Sequence, residues 1–83
     1  MNHLQSNSIF YRTTDLALST AISLWYPIES IDRHDPRQST FVFRRDENLD
    51  DLLSSYWSDT LKVSPQRYFN QLRALKARLY AKD

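Results

Sequence analysis

The chain has neither glycine nor cysteine in its 83 residues. The missing glycine excludes a glycine-rich phosphate cradle and a dinucleotide fingerprint, because both press backbone against phosphate where a Cβ would clash. Helix ends and turns must therefore use Asn, Asp, Ser and Pro. The missing cysteine excludes disulfides, thiol chemistry and thiolate metal sites, and it fits a reducing compartment. No stretch approaches the roughly 20 consecutive apolar residues that span a bilayer. Residues Met1 to Ser8 lack the basic start and apolar core of a secretory signal. They read as a flexible polar tail, 1–8, ahead of a single domain, 9–83. The expected location is the cytoplasm, with no membrane partner.

What remains is an ordinary globular composition. The hydrophobic fraction is 41%, and two tryptophans, five tyrosines and four phenylalanines supply large buried areas for a small core. The length suits one domain and is short for two. Net charge is +1 but unevenly spread. Asp46, Glu47, Asp50, Asp51 and Asp59 fall in a stretch without a base, whereas Lys62, Arg67, Arg73, Lys76, Arg78 and Lys82 follow with Asp83 as the one acid.

The pattern of apolar residues predicts β-α-β-β-α-α. Ile9 to Arg12 is a run of strand formers. Thr13 and Thr14 can cap a helix with Asp15 in its first turn. Leu18, Ala21, Ile22 and Trp25 then share one helical face, and Pro27 ends the helix near Tyr26. Residues Ile28 to Arg33 form a weak strand, because Ile28 and Ile31 do not alternate. His34 to Gln38 is a turn, and Ser39 to Arg45 is a strand with Phe41 and Phe43 on one side. Asp46 caps a second helix with the stripe Leu49, Leu52, Leu53 and Tyr56. Ser64 caps a third, with Pro65 at the first helical position. There Tyr68, Leu72, Leu75 and Leu79 make the stripe, and its three leucines should be largely buried. The expected fold is a single α+β domain, a three-stranded sheet with helices packed on one face.

The run Tyr11-Arg12-Thr13-Thr14-Asp15-Leu16, then Phe41-Val42-Phe43, Tyr56-Trp57 and Val63 to Lys76 resemble a small uncharacterised prokaryotic family. Its pattern is Y-x-T-x-D-L, F-x-F, Y-W and V-x-P-x-x-Y-F-x-x-L-R-x-L-K. Members often carry a glycine after the first helix, where this chain has Trp25-Tyr26-Pro27. The resemblance implies a fold unit and brings no activity, cofactor or substrate with it.

Catalytic chemistry finds little to work with. His3 falls in the tail and His34 in a turn, and neither is placed to be desolvated and oriented as a general base. Asp32, His34 and Asp35 lie close in sequence, but one short turn rarely supplies enough metal ligands. The serines have no base at a diagnostic spacing. No cofactor and no small-molecule substrate is indicated. The leading expectation is a non-enzymatic binding or adaptor module acting through protein–protein contacts, with self-association included. The alternative is nucleic-acid binding through the basic third helix. Arg67, Arg78 and Lys82 gather on one flank of its stripe, and Arg73 and Lys76 lie on the other near Phe69 and Tyr80. Arg12, Arg44 and Arg45 are further candidate contacts. An open sheet face offers Val42 and Arg44 with either Phe10 and Arg12 or Ile9 and Tyr11. Against this, the basic residues of the third helix serve equally as a solvated rim whose alkyl stems cover the core edge. Enzymatic activity is a remote third class.

Overall fold

The computed structural model describes residues 9–81. The tail 1–8 and Lys82 lie outside the described residues. The element order is β1 (Phe10–Thr13), α1 (Leu16–Ser23), β2 (Ile28–Asp35), β3 (Gln38–Arg44), α2 (Glu47–Trp57) and α3 (Pro65–Tyr80). This is the expected β-α-β-β-α-α order. The sheet is antiparallel throughout, with strand order β1-β3-β2, so β3 is central. The Cα atoms span only 18 Å in their shortest direction, the thickness of one sheet and one helical layer.

The core follows from the alternation along β3. Phe41 and Phe43 point into the helices and are buried with Leu18 and Ile22 of α1, Leu49 of α2 and Leu75 of α3. Ile28 and Ile31 both pack against this cluster although they are an odd distance apart. The reason is a register shift: Ile28 pairs with Phe43 while Ser30 pairs with Val42. The extra residue, Glu29, restores the inward direction, as a β-bulge does. The register shift accounts for the broken alternation of Ile28 and Ile31.

Several boundaries differ from expectation. Asp15, rather than Thr13 or Thr14, caps α1: its Oδ1 accepts from the Leu18 N–H at 3.0 Å. Thr13 Oγ1 in turn accepts from the Asp15 N–H. Asp15 stands directly before Leu16, the first helical residue, where its carboxylate reaches the N–H three residues on. Helix α1 stops at Ser23 with Leu24 as C-cap, so Trp25 leaves the apolar face and is exposed. Strand β2 continues to Asp35, and the hairpin turn shrinks to Pro36 and Arg37. The stripe of α3 is also narrower than predicted. Leu75 is fully buried, whereas Leu72 and Leu79 are half-buried. Leu75 enters the central cluster, Leu79 packs against it from the next turn, and Leu72 lies outside it.

Helix α1 packs against both α3 and α2. It is buried almost all round, including Ser19 and Thr20. Small side chains there let the neighbours approach closely. Thr20 Oγ1 donates to the Leu16 carbonyl at 2.8 Å, while Ser19 Oγ is buried without a partner.

Candidate functional site

Helix α3 carries the candidate contact residues. Ser64 Oγ accepts from the Arg67 N–H at 3.3 Å and Pro65 occupies the first turn, so the helix begins where the sequence predicts. The Tyr68 hydroxyl donates to the Ala17 carbonyl at 3.0 Å and ties the start of α3 to α1. At the other end the Arg33 guanidinium donates to the Arg78 carbonyl at 2.7 Å and the Leu79 carbonyl at 3.2 Å. These carbonyls have no partner within the helix, and a cation also suits the negative end of its dipole. Arg33 is thus a cap supplied from β2. No sequence signal pointed to it, because its partners lie some 45 residues away.

Between these anchors α3 runs for 16 residues, about 24 Å at 1.5 Å per residue. Its outward side presents Phe69, Arg73, Lys76 and Tyr80 at i, i+4, i+7 and i+11, the spacing of one helical face. Phe69 is 56% exposed and Tyr80 78%. The Arg73 guanidinium lies 5.8 Å from the Phe69 ring centroid, a cation–π geometry. Arg67 and Arg78 stand exposed on the opposite flank of the stripe. The helix contains no acid.

The remaining candidate arginines are engaged elsewhere. Arg12 on β1 pairs with Asp32 on β2. Arg12 faces Val42 and Asp32 faces Thr40 across the central strand, so their bridge crosses β3 on its open side. This is why Val42, on the face without helices, is only 4% exposed. The Asp32 carboxylate is held below the usual range, first by the His34 N–H and then by Arg12. The Arg44 guanidinium lies 5.9 Å from the Phe10 ring. Arg45 pairs with Asp50 of α2 at 2.9 Å and lies 5.9 Å from the Tyr11 ring, on the helix side of the sheet. Burial raises the Tyr11 hydroxyl, and Arg45 opposes the shift. The open face therefore combines Phe10 with Arg12, one of the two alternatives, beside a buried Val42. The predicted exposure of Val42 is not found.

The acidic helix α2 begins with a doubly used cap. Asp46 Oδ1 accepts from the Leu49 N–H at 2.8 Å and from the Tyr26 hydroxyl at 2.7 Å. Burial and this hydrogen bond push Tyr26 up to about 12, and the Tyr26 hydroxyl with the Leu49 N–H holds Asp46 down. Among the described residues no ion pair joins α2 to α3; Asp50 turns to Arg45 instead. The acidic and basic helices keep most of their charge for the solvent. Also among the described residues, no three His, Asp or Glu side chains come together as metal ligands, and no helix is long and apolar enough to cross a membrane.

No curated protein and no solved structure matches the chain. A family model described as a domain of unknown function, DUF5659, matches residues 10–81, which contain every described helix and strand. On that match the chain belongs to the DUF5659 family.

Proposed function

We propose that this domain is a non-catalytic binding module that makes protein–protein contacts through the outward side of α3. The observation that carries the reading is the joint exposure of Phe69 and Tyr80 beside Arg73 and Lys76 on one rigid helix. Exposed aromatics next to arginine are the composition of contact surfaces, since they bury large area at low entropic cost. A helix with four cations and no acid calls for an acidic partner surface. A second copy of the chain offers one on α2, where Glu47 and Asp51 are exposed. Pairing α3 of one copy with α2 of another is a head-to-tail contact.

Sedimentation equilibrium at low and high salt tests this. Wild type should associate with concentration, and more weakly at high salt. Phe69→Ala with Tyr80→Ala, and separately Glu47→Lys with Asp51→Lys, should each return the monomer. A wild type that stays monomeric at every concentration and salt would remove the self-association form of the reading.

Nucleic-acid binding is the second reading, favoured by the same acid-free helix. The engagement of Arg12, Arg44 and Arg45 within the domain weighs against a wider footprint. Mobility shift on duplex DNA and single-stranded RNA separates the two. Micromolar binding that weakens steeply with salt and disappears in Arg73→Gln, Lys76→Gln, Arg78→Gln would promote this reading.

A further inference from the structure

A cleft of about 320 Å³ opens where the three helices meet, lined by Ala21, Tyr56, Asp59, Leu61, Val63 and Tyr68. It lies away from the Phe69–Tyr80 side of α3 and stands independently of the contact reading above. Its volume is at the lower end of small-ligand sites. Two tyrosine rings form part of the wall, and among the described residues Asp59 is the one charged residue in it. We propose that this cleft binds an organic ammonium group, either a free amine or a lysine side chain.

The wall is fixed before any ligand arrives. The segment after α2 folds back on the helix end: the Asp59 N–H donates to the Tyr56 carbonyl at 3.1 Å and the Thr60 N–H to the Ser55 carbonyl at 2.9 Å. These two bonds are a Schellman closure. The Leu61 N–H adds a third at 3.1 Å to the Ser55 carbonyl. The closure needs a left-handed residue, normally glycine, and this glycine-free chain uses Asp59 with φ 62°. The carboxylate-bearing residue is thereby set at the rim. Tyr68 is held by its bond to the Ala17 carbonyl, and Tyr56 meets Trp57 edge-to-face with ring centroids 5.0 Å apart.

The local charge favours a cation. Among the described residues, no basic residue lines the cleft. Burial raises the hydroxyls of Tyr56 and Tyr68, and the negative charge of Asp15 raises both further. The N-terminus of α3 is the opposing positive feature, but Pro65 has no N–H and Ser64 Oγ takes the Arg67 N–H. An ammonium group can therefore rest against tyrosine ring faces with its charge toward Asp59, while its carbon stem meets Ala21, Leu61 and Val63.

The test is titration of the amide spectrum of the 15N-labelled chain at constant ionic strength. The probes are n-butylammonium chloride, neutral n-butanol and acetyl-lysine methylamide. Butylammonium should saturably shift the amides around Ala21, Leu61, Val63 and Tyr68 and bind roughly fivefold or more tightly than butanol, from cation–π and charge attraction together. Asp59→Asn keeps a residue that tolerates left-handed backbone and removes only the charge, so it should fold and weaken butylammonium binding about threefold. Tighter binding of acetyl-lysine methylamide than of butylammonium assigns a protein side chain as the source, and the reverse order assigns a free amine. Equal binding of butanol and butylammonium, an unchanged affinity in Asp59→Asn, or no saturable shift at these amides would overturn the proposal.

Discussion

At the scale of single residues, the fate of a side chain depends on which layer its backbone reaches. Leu72, Leu75 and Leu79 are equivalent in the sequence pattern, yet only Leu75 is fully buried. Leu75→Ala should cost about 2–5 kcal/mol by lost burial and a residual cavity, whereas Leu72→Ala should cost about 1 kcal/mol or less. Urea denaturation of both variants measures the contrast, and equal losses would put the two leucines in equivalent surroundings. Ser19 gives the opposite expectation. Its hydroxyl is buried with no partner, so Ser19→Ala removes a desolvated polar group and should stabilise the domain by roughly 1 kcal/mol. A destabilised variant would reveal a hydrogen bond at this hydroxyl.

The Tyr26–Asp46 bond predicts a pH dependence at both ends. Asp46 is depressed in the folded state, so its contribution is present above the unfolded carboxyl value of 3.8 and is lost as pH falls through the lower folded value. Tyr26 is raised, so its contribution is complete below its unfolded value of 10.0 and is lost as pH rises toward about 12. Tyr26→Phe should flatten the alkaline limb of a urea-midpoint profile. It should also shrink the acid limb, because Asp46 loses the hydroxyl that depresses it most. An alkaline limb identical in the variant and wild type would assign that limb to other groups.

At the scale of elements, local capping decides where helices start and distant residues decide how some of them end. Ser64, Asp15 and Asp46 each lie next to the helix they begin, and each accepts from the N–H three residues on. The end of α3 is different, because Arg33 reaches it from β2. Arg33→Ala should leave global stability within about 1 kcal/mol, since the bonds are exposed, but it should fray the last turn. Faster amide exchange at Leu79, Tyr80 and Ala81, with the rest of α3 unchanged, is the expected signature. Unchanged exchange there would show that solvent serves these carbonyls equally well.

At the scale of the whole molecule, the central position of β3 controls stability. It is paired on both edges, covered by helices on one face and crossed by the Arg12–Asp32 bridge on the other. The amides of Phe41 to Phe43 should therefore exchange only through global unfolding, and those near Pro36 and Arg37 much sooner. Early exchange in the centre of β3 would mean that the sheet opens before the helices release it. The same arrangement partitions the charge. Arg12, Arg37 and Arg45 pair with carboxylates, whereas among the described residues no carboxylate pairs with a cation of α3.

The element order, the hairpin, the caps at Ser64 and Asp46 and the two inward phenylalanines were legible in the sequence. All of these depend on neighbours within a few residues, through helical or strand periodicity and short-range capping. Which α3 residues share a face was legible for the same reason, since one helix fixes its own faces. Tertiary structure alone decided which strand is central, how the Glu29 bulge turns both Ile28 and Ile31 inward, and which arginines are engaged. It alone brought Arg33 to the end of α3, and Tyr56, Asp59 and Tyr68 to one cleft. Those outcomes depend on packing between segments far apart in the chain, and no local period encodes which distant segment arrives.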